Sequence, residues 1–193
     1  MKKNQFQNVA IIMALPMESQ GLFEAANIKV HYSGIGKINA AMKTTEVILT
    51  EKPDLVLNLG TAGSQKFHTH TLLQCTKIVQ RDMDITPLGF AIGETPMDAV
   101  PAGIEIENFF PELPTATCAT GDSFETGTPQ LPCDLVDMEA YAIAKVCRKF
   151  EIPVISLKYI TDGHDDEAHK DWRENLIPGA RALLAIYQQY FSK

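Results

Sequence analysis

The chain has 193 residues, with hydrophobic side chains at 45% and charged side chains at 21%. That is enough apolar material for a core and argues against a disordered chain. Lys and Arg number 17 against 24 Asp and Glu, a formal net charge of −7, which is a poor electrostatic match for a nucleic-acid backbone or an anionic membrane. No run approaches the ~18 apolar residues of a transmembrane helix.

In chain order, Val9–Leu15 is a continuous apolar run ending at Pro16. It reads as a buried first strand rather than a signal peptide, since Met17 and Glu18 stand where a small-residue cleavage site would be. Lys29–Tyr32 reads as a short strand ending in Gly34-Ile35-Gly36. Asn39–Thr50 carries apolar residues at helical spacing and should stop before Pro53. Leu55–Leu59 is another buried strand, closed by a turn at Gly60-Thr61-Ala62-Gly63. Leu72–Val79 alternates as a strand, and residues 84–114, rich in Pro and Gly, predict loops with one short strand. Thr115–Ala119 predicts a strand leading into Gly121-Asp122-Ser123-Phe124. Leu135 and Val136 form a strand end, Met138–Phe150 a helix, Pro153–Ile160 the last strand and Ile177–Tyr190 the last helix, with Pro178 in its first turn.

Strand, glycine turn and helix alternate from end to end with no repeat and no linker. The expectation is one α/β domain over residues 1–193, with a central mixed, mostly parallel sheet flanked by helices. The cysteines, Cys75, Cys118, Cys133 and Cys147, are widely spaced and form no CxxC pair, so they read as reduced thiols of a cytoplasmic protein.

Ligands of an open α/β sheet sit beyond the carboxyl ends of the strands. Glu18, Lys37, Thr61, Asp122, Asp137, Glu139 and Asp162 all follow strands, so several carboxylates should converge on one edge between glycine-rich turns. Buried carboxylates need partners, which suggests a ligand bearing hydroxyls, or a metal. His68 and His70, or the run His164-Asp165-Asp166, lack the spacing of a common zinc site, and no HExxH is present; neither metal nor cofactor is expected. Gly34-Ile35-Gly36-Lys37 is neither a dinucleotide fingerprint nor a Walker A motif. Taken singly, Asp137 reads as a helix cap, Glu139 as a first-turn acid, Asp162 as a turn cap and Glu18 as a loop acid. Phe124 beside two polar residues fits either the core or a platform for a flat ring. A flat ring with hydroxyls met by carboxylates describes a nucleoside.

The same residues carry a resemblance. AIIMALPMES (10–19), SGIGKINAA (33–41), NLGTAG (58–63), RDMDITPLGF (81–90), ATGDSF (119–124), VDMEAYAIAKVC (136–147) and YITDG (159–163) resemble, in order, the nucleoside phosphorylase/nucleosidase superfamily. The nearest branch is the 5′-methylthioadenosine/S-adenosylhomocysteine nucleosidases. The resemblance implies a single α/β domain with a partly barrel-like sheet, a homodimer, and hydrolysis of the N-glycosidic bond of 5′-thio-substituted adenosines. It places the water-activating glutamate at Glu18 and the purine-protonating aspartate at Asp162. Met138 and Glu139 fall on the ribose-binding pair, with Glu139 as an anion, Phe124 on the adenine-stacking aromatic, and Thr61 on a serine near the water.

The chain also departs from the family. It is short, almost lacks a hairpin before GIGK and a helix before ATGDSF, and has Asp137 where a glutamate is usual. Those cuts alter the 5′ side of the pocket. Where related phosphorylases hold phosphate with an arginine before the glycine turn, this chain has Asn58, and Arg81 is the basic residue that could compete. The alternatives are a phosphorylase, a nucleosidase for another purine nucleoside, or a nucleoside-binding protein without turnover. The turn Gly93–Met97, with Ile92, Met97 and Val100 as apolar support, is the expected subunit contribution to a neighbouring pocket.

Overall fold

The computed structural model describes residues 5–98, 102–163 and 168–192. Val100 and the His164–Asp166 run lie outside them. The elements in order are β1 (Val9–Met13), α1 (Pro16–Ser19), α2 (Leu22–Ala25), β2 (Val30–Tyr32), α3 (Lys37–Glu51), β3 (Leu55–Gly63), β4 (Leu72–Gln80), β5 (Gly103–Glu105), β6 (Thr115–Thr120), β7 (Leu135–Asp137), α4 (Ala140–Lys149), β8 (Val154–Asp162), α5 (Ala168–Glu174) and α6 (Leu176–Phe191).

Among the described residues all eight strands belong to one mixed sheet. β2, β1, β3 and β8 run parallel to their neighbours, as do β4, β6 and β7. Antiparallel contacts join β4 to β5 and β8, and β3 to β7. The path β3–β8–β4–β6–β7 therefore returns to β3 through Gly63 opposite Val136. This closes a small barrel with β1 and β2 as a wing, the mixed sheet the sequence implied.

The continuous apolar runs of β1, β3 and β8 occupy central positions and are buried almost throughout, as strands covered on both faces must be. On one side α3 and α4 pack Ala40, Ile48, Ile143 and Cys147 against Ile12 and Val56. On the other, α6 packs Leu183 and Ile186 against Leu57, Leu59 and Leu157.

Several boundaries differ from expectation, each for a local reason. Gly60–Gly63 is not a turn but the end of β3, because its backbone stays paired with β8 from Gly60 opposite Lys158 to Gly63 opposite Asp162. Likewise Thr161 and Asp162 are strand residues, with a bulge between Ala62 and Gly63 shifting the register there. A bulge re-aims the side chains beside it. Helix α4 begins two residues later than its periodicity suggests. Asp137 Oδ2 accepts the Ala140 N–H at 2.8 Å and Thr120 Oγ accepts the Tyr141 N–H at 2.9 Å, so the first turn is capped from β7 and β6. Met138 and Glu139 are left in the connector. α3 ends where Lys52 adopts a left-handed φ of 48° just before Pro53. The short helices α1, α2 and α5 gave no periodic signal.

Candidate active site

A cavity of about 280 Å³ opens at the strand ends, near the small end of typical ligand pockets, roughly 300–1,000 Å³. Glu18, Thr61, Phe124, Met138, Glu139 and Asp162, the six residues singled out from sequence, all line it.

Glu18 is 5% exposed and its carboxylate accepts four hydrogen bonds. Oε2 takes the backbone N–H of Ala14 at 3.0 Å and of Leu15 at 3.1 Å. Oε1 takes the Thr61 N–H and the Thr61 hydroxyl, both at 2.9 Å. Thr61 Oγ in turn accepts the Trp172 indole N–H at 3.0 Å. Gly60 permits this approach: a Cβ there would lie 3.2 Å from Glu18 Oε1 and 3.4 Å from Lys158 Nζ.

Glu139 is reached from a different loop. Gly36, at φ 94°, donates its N–H to Glu139 Oε1 at 2.9 Å. Any side chain at Gly36 would be strained by that φ and would meet Asp122 Oδ1 at 3.1 Å. Lys37 continues the brace, its N–H to Asp122 Oδ1 at 2.7 Å and its ammonium to Asp82. Burial, reinforced by the neighbouring Asp137 charge, pushes the Glu139 pKa up to about 8. Against the protein groups alone, this environment favours the neutral carboxyl of Glu139. Hydroxyl donors would favour its ionised form.

Asp162 is 4% exposed at the bulged end of β8, where Thr161 Oγ donates to its Oδ2 at 2.8 Å. Phe124 is half exposed at the cavity wall. Its two neighbours are held by Arg81, which donates to Ser123 Oγ at 3.0 Å, to the Ser123 carbonyl, and to Glu125 at 2.9 Å.

Asp137 is more than a cap. It pairs with the Lys158 ammonium at 2.8 Å and accepts the Thr120 hydroxyl at 2.6 Å. Burial disfavours both charges, but each holds the other: Lys158 keeps Asp137 below its usual value, and Asp137 keeps Lys158 above its own. Lys158 and Trp172 were missed from sequence. A lysine inside the apolar run VISLKYI was the available signal, because a buried ammonium demands a partner. Trp172 lies in a polar stretch and gave none.

Asn58, at the position where a phosphate-binding arginine would stand, is buried between strands. Its Oδ1 accepts the Ser156 hydroxyl at 2.8 Å and its Nδ2 reaches the Ile12 carbonyl at 3.4 Å. Arg81, the one cation lining the cavity among the described residues, is ion-paired with Glu125. Among the described residues no helix is long and apolar enough to cross a membrane.

The chain is similar to known proteins over most of its length. A Bacillus subtilis protein named 5′-methylthioadenosine/S-adenosylhomocysteine nucleosidase is 34% identical over 184 residues, covering 83% of this chain and 78% of its own. One of the same name from Anoxybacillus flavithermus is 30% identical over 185 residues, covering 83% and 78%. The solved Streptococcus pneumoniae MTA/SAH nucleosidase, in complex with 8-aminoadenine, shares the fold with a TM-score of 0.83 at 23% identity, over 96% of this chain and 99% of its own. With the phosphorylase superfamily profile matching residues 19–192, the chain belongs to the phosphorylase superfamily.

Proposed function

We propose that the chain is an N-glycosyl hydrolase that cleaves 5′-thio-substituted adenine nucleosides with water and releases adenine. The relatives' names support the substrate class. The observation that carries the reading is the meeting of Glu18, Glu139 and Asp162 in one cavity whose lining cation, Arg81, is already paired. A phosphate dianion would be repelled by the Glu18 carboxylate, whereas water and ribose hydroxyls find acceptors.

Bond cleavage builds positive charge on the sugar and negative charge on the base. Asp162 delivers or shares a proton at N7, so that adenine leaves neutral. Glu139 accepts the ribose hydroxyls. Those donors favour its anion, which then stabilises the developing oxocarbenium charge. Met138 lines the ribose and Phe124 supports the adenine plane. Glu18, its orientation fixed by four donors, faces the water. A carboxylate suffices as acceptor because water adding to an oxocarbenium-like carbon becomes strongly acidic.

The test is adenine release from 5′-methylthioadenosine with and without inorganic phosphate. Equal rates and free methylthioribose are expected. A phosphate-dependent rate with a sugar 1-phosphate product would mean a phosphorylase.

The working unit we propose is a homodimer. Ile35 lines the cavity and is 49% exposed, and Ile38 and Met42 continue from it along α3 at 74% and 66%. Met97, in the turn expected to reach a partner, is fully exposed. Such an apolar band at a pocket rim fits an interface. Light scattering should give twice the chain mass, and an active monomer would refute the idea. The buried free thiols of Cys75, Cys118 and Cys147 support a reducing, cytoplasmic setting.

A further inference from the structure

Of the donors that hold Glu18, three are backbone N–H groups, of Ala14 and Leu15 in the connector between β1 and α1 and of Thr61 in β3, and the fourth is the Thr61 hydroxyl. Only the hydroxyl can turn. A threonine hydroxyl has one proton and two acceptor lone pairs, whereas an indole N–H can only donate. The Trp172 contact at 3.0 Å therefore fixes the direction of the chain: indole to Thr61 Oγ, and Thr61 proton to Glu18 Oε1.

We propose that Trp172 is a positioning residue for the hydrolytic reaction, holding the Thr61 hydroxyl in the orientation that secures the Glu18 carboxylate against the attacking water. The inference rests on the hydrolase reading above. It is strengthened by where Trp172 comes from. Just past α5, Asn175, the residue that opens α6, donates through Nδ2 to the Thr161 carbonyl at 2.8 Å, next to Asp162. α5 and its junction with α6 thus brace the water side of the cavity through Trp172 and the base side through Asn175.

Trp172 is the only tryptophan in the chain, so the tryptophan emission comes from this side chain alone. Thr61→Val removes the acceptor, and Thr61→Ser keeps it. The emission maximum should shift in Thr61→Val and stay with wild type in Thr61→Ser. Trp172→Phe keeps the apolar wall and loses the donor. It should lower kcat about three- to tenfold, the worth of one neutral hydrogen bond, with KM within about twofold. The double variant Trp172→Phe/Thr61→Val should be no slower than Thr61→Val alone, because both changes cut one chain. Multiplying losses, a loss carried by KM, or an unshifted emission in Thr61→Val would each overturn the proposal. Absence of adenine release by the wild type would instead defeat the hydrolase reading, while the emission comparison still decides whether the Trp172–Thr61 bond exists.

Discussion

Lys158 Nζ lies 2.8 Å from Asp137 Oδ2, with side-chain exposures of 2% and 1%. The pair joins β8 to β7 inside the barrel, and Asp137 also caps the start of α4. It therefore sits under the connector that presents Met138 and Glu139 to the cavity. Removing one partner of a buried pair leaves an uncompensated charge, at a cost of about 3–5 kcal/mol. Lys158→Met should lose stability of that order in urea unfolding. A loss below about 1 kcal/mol would show that the pair does not hold the barrel together.

Glu139 gives a pH prediction of opposite sense to most carboxylates. Its folded pKa of about 8, raised by burial and then by Asp137, lies above the ordinary value of 4.5. Between those values the folded state binds more protons than the unfolded, so stability falls as pH rises through the window and levels off above about 8. Glu139→Gln cannot ionise and should flatten that part of the curve. Melting temperatures of both proteins from pH 5 to 9 provide the check. The same variant should bind and turn over substrate more weakly, since the amide keeps one acceptor without the charge. Parallel melting curves would contradict the Glu139 account.

Arg81 touches both neighbours of Phe124 but is spoken for by Glu125. Arg81→Ala should free the loop that carries the ring. Hydrogen bonds to charged groups contribute about 1.5–3 kcal/mol each, so KM should rise about tenfold or more while kcat changes less. A kcat loss at unchanged KM would assign Arg81 a direct role in the chemistry.

Much of this was legible in the residues. β1, β3 and β8 announced themselves as apolar runs, and ATGDSF, VDMEA and YITDG were readable as strand ends that meet. Gly60–Gly63 was not legible as strand, because small residues look like a turn until their pairing with β8 is known. Two further features depended on tertiary context: the late start of α4, which follows from caps supplied by Thr120 and Asp137, and the protonation of Glu139, which depends on burial. Trp172 reaches Thr61 across 111 residues of chain, and no local pattern encodes such a contact.

We propose that Asp162 and Glu18, which line the same cavity, divide the acid and base work. General acid or base help is worth about 10² to 10⁴ in rate. Asp162→Asn and Glu18→Gln should each lose at least about 10² in kcat with melting curves that show an intact fold. Near-wild-type turnover in either variant would remove that residue from its role.

The attack of water on the glycosidic carbon is tested most directly by isotope. The purified wild-type enzyme is given 5′-methylthioadenosine in ¹⁸O-labelled water with phosphate present, and the products are weighed by mass spectrometry. The expected result is free adenine together with methylthioribose carrying one ¹⁸O at C1′ from the first turnover. Recovery of a sugar 1-phosphate without label, or no adenine at all, would contradict it.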